Sequence, residues 1–242
     1  MQIDEEVVGQ LREAPLTVLG YVAEASNHTM LVRLDDADDG PLAIYKPRAG
    51  ERPLWDFPTG TLCQREVAAY AVSEFLGWEV VPPTVLRDGP MGAGSAQLFV
   101  PHDPARHYFA LVEDARFHPA LARLAVFDLL VNNADRKGSH VLRGEDGHLW
   151  GIDHGLTFHV QMKLRTVIWE LGGTALEAAW RADITRLRTA LDDPEQALRR
   201  RLDALLSPGE VAALGLRAAA LSEASALPVV DASRRAYPWP PL

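Results

Sequence analysis

Residues 132–155 read NNADRKGSHVLRGEDGHLWGIDHG, and the fold turns on how this stretch is read. "HVLRG", "EDG" and "HLWGID" give a strand, a turn and a strand, with apolar residues on either side of an acidic, Gly-containing break. Asp135 stands just before the first strand, and Asp153 closes the second, eighteen residues on. A hairpin this short brings its two open ends to one side. Asp135, His140 and Asp153 are therefore expected around one small volume. A carboxylate that can take a hydroxyl proton, next to one that can hold a metal ion, is what phosphoryl transfer requires. Each residue also has an ordinary reading: Asp153 as a turn-forming Asx residue, Asp135-Arg136 as a solvated pair, His140 as a packed histidine. The three together, at this spacing, favour a site.

Upstream, "HPALARLAVFDLLVNN" (118–133) has the length and apolar content of a buried helix. Nearer the start, residues 3–13 predict a short amphipathic helix closed by Pro15. "LTVLGYV", "TMLVRL" and "LAIYKP" predict three strands in hairpin succession. "TLCQREVAAYAVSEFLG" predicts a helix stopped at Gly77, and "VVPPTVLRD" and "AQLFVP" two further strands across the turn "DGPMGAG". Residues 15–101 thus read as five strands with one helix inserted after the third. From about 104 onward the pattern is mostly helical, with 174–225 broken at "DDPE" and "SPGE", two helix starts with proline in the first turn. The tail "AYPWPPL" is neither helix nor central strand. The expected architecture is α+β and two-lobed: a small antiparallel β lobe with one helix over 1–101, and a larger, mainly helical lobe over 102–242.

In the first part, Lys46 ends the strand "LAIYK", and Glu66 lies in the next helix, twenty residues on. A strand lysine facing a helical glutamate can hold nucleotide phosphates while the carboxylate orients the amine.

This order of elements (strand, polar loop, two strands ending in Lys, helix with Glu, two strands, helical lobe, short hairpin, Ile-Asp-x-Gly) resembles the protein-kinase-like fold. "NNADRKGSHVL" and "GIDHGLTF" most resemble the phosphatidylinositol 3-/4-kinase branch, and the chain looks similar to a group of uncharacterised actinobacterial kinase-like proteins. The resemblance spans about residues 15–160. It implies an ATP- and divalent-metal-dependent phosphotransferase acting on a lipid, protein or small-molecule hydroxyl. Asp135 would accept or orient the hydroxyl proton, and Arg136 would support the catalytic loop or neutralise charge. Asp153 would bind the metal bridging the phosphates. Lys46, paired with Glu66, would contact phosphate. "EASNHT" (24–29) would cover the phosphates, with Ser26 and Asn27 as donors. Gln97 to Val100, including Phe99, would form the hinge that holds adenine. His140 stands where the branch usually carries a metal-binding Asn; an imidazole nitrogen suits manganese better than magnesium, so Mg²⁺ or Mn²⁺ is the expected ion.

The bulk properties narrow the field. A formal charge of −9 argues against general nucleic-acid or acidic-membrane affinity. The single cysteine, Cys63, excludes an internal disulfide. The opening "MQIDEEVVGQL" lacks the basic and apolar regions of a secretion signal, and no apolar run spans a bilayer, so a cytoplasmic protein without a transmembrane segment is expected. Lys163 and Arg165, with Arg136, Lys137 and Arg143 nearby, suggest a local cationic rim for an anionic acceptor. Alternatives on the same fold are a nucleotide-binding scaffold with little turnover and a nucleotidyl transferase. Off this fold, His140, Asp153, His154 and His159 could form a hydrolase-type metal cluster. The acceptor and the oligomeric state are not encoded in any recognisable motif.

Overall fold

The structure, a computed structural model, describes residues 5–22, 28–35, 40–231 and 235–242. Five strands form one antiparallel sheet: β1 (Leu16–Tyr21), β2 (Met30–Leu34), β3 (Leu42–Pro47), β4 (Thr84–Gly89) and β5 (Gly92–Leu98), in the order β1-β2-β3-β5-β4. α1 (Glu5–Glu13) precedes the sheet, and α2 (Leu62–Leu76) enters between β3 and β4. Two-residue alternation divides the sheet's faces. Met30, Val32, Leu34, Ala43, Tyr45, Val85, Ala96 and Leu98 point one way into a small core that Leu11 of α1 closes. Lys46 pairs with Ser95 and Ile44 with Gln97, so these four side chains face the other way.

Two strand boundaries differ from the expectation. The β4–β5 turn is only Pro90–Met91, and Gly92–Gly94 belong to β5. The cause is a close approach by β3: a Cβ on Gly94 would sit 2.5 Å from the Lys46 carbonyl oxygen and 2.8 Å from Pro47 Cα. Gly94 is thus a strand residue required by contact, whereas Gly92, at φ 86° with open space around it, serves the turn. "VVPP" is not strand; β4 starts at Thr84, after two prolines that have no N–H to give a ladder.

The helical part contains α3 (Tyr108–Leu111), α4 (His118–Val131), α5 (Ala178–Asp192), α6 (Ala197–Asp203) and α7 (Pro208–Glu223), with a small hairpin of β6 (Val141–Arg143) and β7 (Leu149–Gly151). α7 opens with a full capping box: Ser207 accepts from Glu210 N, and Glu210 returns a contact to Ser207 N, with Pro208 in the first turn. At "DDPE" the helix begins later than expected, at Ala197, because Asp193 accepts the Glu195 N–H in a local turn that Pro194 occupies. The tail after 235 is irregular, and it is pinned: Ala236 O accepts from Thr166 N and Trp169 Nε1, and Pro241 O accepts from Gly138 N.

α2 packs on both parts, against β4 and β5 of the sheet and against α5 and α6 of the helical part. Glu66 through Ser73 are buried without interruption, so it has no solvent stripe. Its apolar residues join those of α4, α5 and α7 in one large core, running from Ala68 to Leu227. Arg65 Nη2 meets Glu210 of α7 at 2.5 Å, Arg65 Nη1 donates to Thr157 O, and Arg201 of α6 reaches Glu74 at 2.6 Å. The α+β, two-lobed arrangement is present, and α2 spans it: counted with 1–101 by chain order, it lies in the larger core by packing.

Candidate functional site

The stretch 132–155 folds between α4 and the β6–β7 hairpin. α4 ends at Asn132 in the left-handed region, φ 56°, a conformation asparagine tolerates. The Asn132 side chain then ties down the segment beyond the hairpin: Nδ2 donates to His159 O and Gln161 O, and Oδ1 accepts from Lys163 N. Asn133, also fully buried, donates to Asp128 Oδ1 and accepts the Asp135 N–H at 3.0 Å. The backbone of the loop is laced to its neighbours through Ala134 N to Leu156 O, Arg136 N to Arg165 O and Val167 N to Arg136 O. The Asp135 carboxylate is thereby fixed by its main chain at both sides.

Arg136 lies beneath it, wholly buried. Its Nε and Nη2 form a two-point contact with Asp128 at 2.8 and 2.9 Å, and Nη1 donates to Ile152 O and His140 O. Nη2 also approaches His154 Nε2 at 2.7 Å. An arginine only donates, so His154 Nε2 accepts and its proton sits on Nδ1. Burial and the neighbouring Arg136 hold the His154 pKa far below the usual value, so this ring is neutral. Of the two roles the resemblance implies for Arg136, supporting the loop or neutralising charge, its contacts match the first: it has no solvent face and joins α4, the loop and the Asp153 turn.

Above this sealed cluster, Lys46, Glu66 and Asp153 meet. Lys46 Nζ lies 2.5 Å from Glu66 Oε1 and 2.8 Å from Asp153 Oδ1, across 107 residues of sequence. Glu66 Oε2 accepts the His154 N–H, so the helix, the strand and the Asp153 turn share one carboxylate. Asp153 itself adopts φ 60°, a backbone strain that turns its side chain toward Lys46. That side chain is 47% exposed, whereas Glu66 is buried. Burial alone would raise the Asp153 pKa, but Lys46, then His140, hold it well below the usual range. Burial would likewise lower the Lys46 pKa; Asp153 and Glu66 prevail and raise it, so the ammonium is permanent.

His140 ends a short turn, Gly138–His140, before β6 begins at Val141. Its Nδ1 lies 3.1 Å from the Asp135 carbonyl oxygen, and Nε2 lies 3.4 Å from Asp153 Oδ2. Burial lowers its pKa to about 4. The Asp135 carboxyl is pushed up to about 6, first by burial and further by the Asp153 charge, against the pull of Lys137 3.4 Å away.

The remaining expectations fall as follows. Ser26 and Asn27 lie outside the described residues. Gln97 is buried in β5, and its amide donates to Thr84 Oγ1 at 2.9 Å. Phe99 follows the strand, with its N–H on Leu42 O. Val100 joins Leu142, Trp150 and Ile152 in a small apolar cluster beneath that crossing. The cationic rim shrinks. Lys163 is taken by Asp56 at 2.7 Å beneath the 90% exposed Trp55, Arg143 lies over Phe117, Arg136 is sealed, and Lys137 is paired with Asp135 at the site itself. His159 stacks edge-on with Phe57 and His154 faces Arg136 and Phe127, so they do not converge with His140 and Asp153; among the described residues no three such side chains gather as metal ligands. Asp128 was missed from sequence, and so was the reach of Lys137 to the Asp135 carboxylate; the latter's position two residues on was the available signal.

No family profile matches the chain. It is 39% identical over 270 aligned residues to Protein Rv2133c of Mycobacterium tuberculosis, covering 98% of this chain and 95% of that protein. Among solved structures it resembles the Golgi casein kinase, with TM-score 0.58 and 14% identity over 92% of this chain and 74% of that one. The same kinase with Mn/ADP bound aligns at TM-score 0.58 and 13% identity, covering 90% and 74% of the two chains. The Helicobacter pylori proinflammatory kinase CtkA gives TM-score 0.50 and 12% identity over 89% and 94%. At these identities the likeness concerns the fold, which is protein-kinase-like.

Proposed function

The chain belongs to the same family as Protein Rv2133c of Mycobacterium tuberculosis, and on this kinase-like scaffold we propose an ATP- and divalent-metal-dependent phosphotransferase acting on an alcohol, nearest in its motifs to the phosphatidylinositol 3-/4-kinase branch. One observation carries the reading: Lys46 bridges Glu66 and Asp153, on a strand, a helix and a turn far apart in sequence, beside the half-buried carboxylate of Asp135. The Golgi casein kinase structure with Mn/ADP bound supports the choice of ligands.

In this reading the nucleotide lies between the sheet and the hairpin, with the lobes dividing near 101. The purine rests against Phe99, Val100 and the Leu142–Ile152 cluster. Lys46 donates to phosphate oxygens while Glu66 keeps the ammonium in place. Asp153 Oδ2 and His140 Nε2 form an oxygen–nitrogen pair that fits a divalent ion; when bound, that ion neutralises charge on the phosphates. The acceptor oxygen forms its bond to the γ-phosphorus as the bond to the β–γ bridging oxygen breaks, the hydroxyl proton passes to Asp135, and ADP leaves with the bridging electron pair. Asp135 is ready for that proton above about pH 6, where it is ionised. Lys137, at 3.4 Å, stabilises the carboxylate. The reading places this work in the cytoplasm.

The test is γ-labelled ATP with Mn²⁺ or Mg²⁺ and a panel of lipid, protein and metabolite acceptors. Label transfer that Asp153→Ala abolishes is expected. A folded chain that neither binds ATP nor transfers label would refute the proposal, and α-label on an acceptor would move it to nucleotidyl transfer.

A further inference from the structure

We infer that the metal position beside Asp153 is built for a first-row transition cation such as Mn²⁺, in preference to Mg²⁺, with the His140 imidazole as a direct ligand; this rests on the phosphotransferase reading and specifies its ion. His140 Nδ1 is 3.1 Å from the Asp135 main-chain oxygen, an atom that can only accept, so Nδ1 donates there and Nε2 is the nitrogen left to face Asp153 and to take a metal ion in place of a proton. This is the arrangement in which a ligating histidine is oriented from behind by a carbonyl, which fixes both tautomer and ring angle. The carbonyl's own residue is held by the Asn133 side chain, which accepts the Asp135 N–H at 3.0 Å.

The front of the ring points at Asp153. That carboxylate is divided: Oδ1 accepts from Lys46 at 2.8 Å, and Oδ2 faces His140 Nε2 at 3.4 Å. Nε2 and Oδ2 border a common space, at a spacing that neighbouring ligands of one cation span. The Asp153 side chain is open to solvent while His140 is nearly closed, so the cation enters over the carboxylate with nucleotide phosphate oxygens filling the remaining positions. Mg²⁺ is a hard ion that favours an all-oxygen shell, while Mn²⁺ and later divalent ions take imidazole readily. An N,O pair whose ring is held from behind by the Asp135 carbonyl therefore discriminates by ligand type.

The experiment uses the full chain with ADP. Mn²⁺ binding is followed by its electron paramagnetic resonance signal, Mg²⁺ is titrated as a competitor, and pulsed spectra report ¹⁴N coupling to the bound ion. Mn²⁺ should bind at least about tenfold tighter than Mg²⁺. An imidazole ¹⁴N coupling should be present and disappear in His140→Asn, whose carbonyl oxygen supplies a harder ligand, and the preference for Mn²⁺ should fall toward parity. Unchanged coupling in a folded His140→Asn, or equal affinities in the unsubstituted chain, would overturn the inference and leave the phosphotransferase reading standing. Failure of the chain to bind ADP with either ion would overturn both.

Discussion

Two clusters of charge lie back to back in this protein, separated by little more than the Asp153 turn. Asp128, Arg136 and His154 are all fully buried, and every N–H of the guanidinium points to an oxygen or a ring nitrogen. In the second cluster Asp153, Asp135 and Lys46 are partly open to solvent, while Glu66 is buried beneath them and His140 is nearly closed. A sealed ion pair is costly to leave half-made, whereas an exposed one contributes little to folding. The difference leaves stability to the first cluster and, under the proposed function, chemistry to the second, although one short stretch of chain supplies most of both.

Replacing Arg136 with Met would break the comparison most severely. It strands the Asp128 carboxylate in the core, and urea unfolding should record a loss of about 3–5 kcal/mol. The double change Arg136→Met with Asp128→Leu should recover much of it, since a packed apolar pair lacks the uncompensated charge. The open cluster should behave oppositely. Asp153→Asn should leave the unfolding midpoint nearly unchanged while phosphate transfer falls about 10²- to 10³-fold, measured with labelled ATP.

Asp135 sharpens the contrast through its sign. Its folded pKa, about 6, lies above the ordinary 3.8, so ionisation opposes folding: the penalty is absent below about pH 4, grows to about pH 6 and is complete above. Asp135→Asn should therefore stabilise the metal-free protein by about 1–2 kcal/mol at pH 8 and not at pH 4, by denaturant titration at both, while abolishing transfer. The smallest expected effect belongs to His154→Phe. It keeps the ring packing on Phe127 and removes one acceptor from Arg136, which retains Asp128 and the two carbonyls; a loss of about 0.5–1.5 kcal/mol is expected in the same assay.

The parts legible in sequence were those with local signals. Strand alternation, the Gly77 stop and the hairpin around "EDG" placed Lys46, Glu66, Asp135 and Asp153 on the elements where they stand. The sealed cluster was not legible. Asp128 interrupts the apolar run "AVFDLLV", and its partner eight residues on is recognisable only once helix and loop have folded together. Lys163 was read as part of an open rim because its neutraliser, Asp56, lies 107 residues earlier in a loop without periodicity. The allegiance of α2 did have a signal: "EVAAYAVS" offers no polar stripe, and a helix apolar on all sides has no surface of its own.

That allegiance restricts how the protein can be controlled. The helix presenting Glu66 is clasped by Arg65–Glu210 at one end and Arg201–Glu74 at the other, with its flanks inside the larger interior. Swinging it outward to disengage Lys46 would tear that interior open. The lysine's counterpart is thus held by the larger interior, and under the proposed phosphotransferase reading control falls on what enters the cleft rather than on withdrawing a piece of the scaffold.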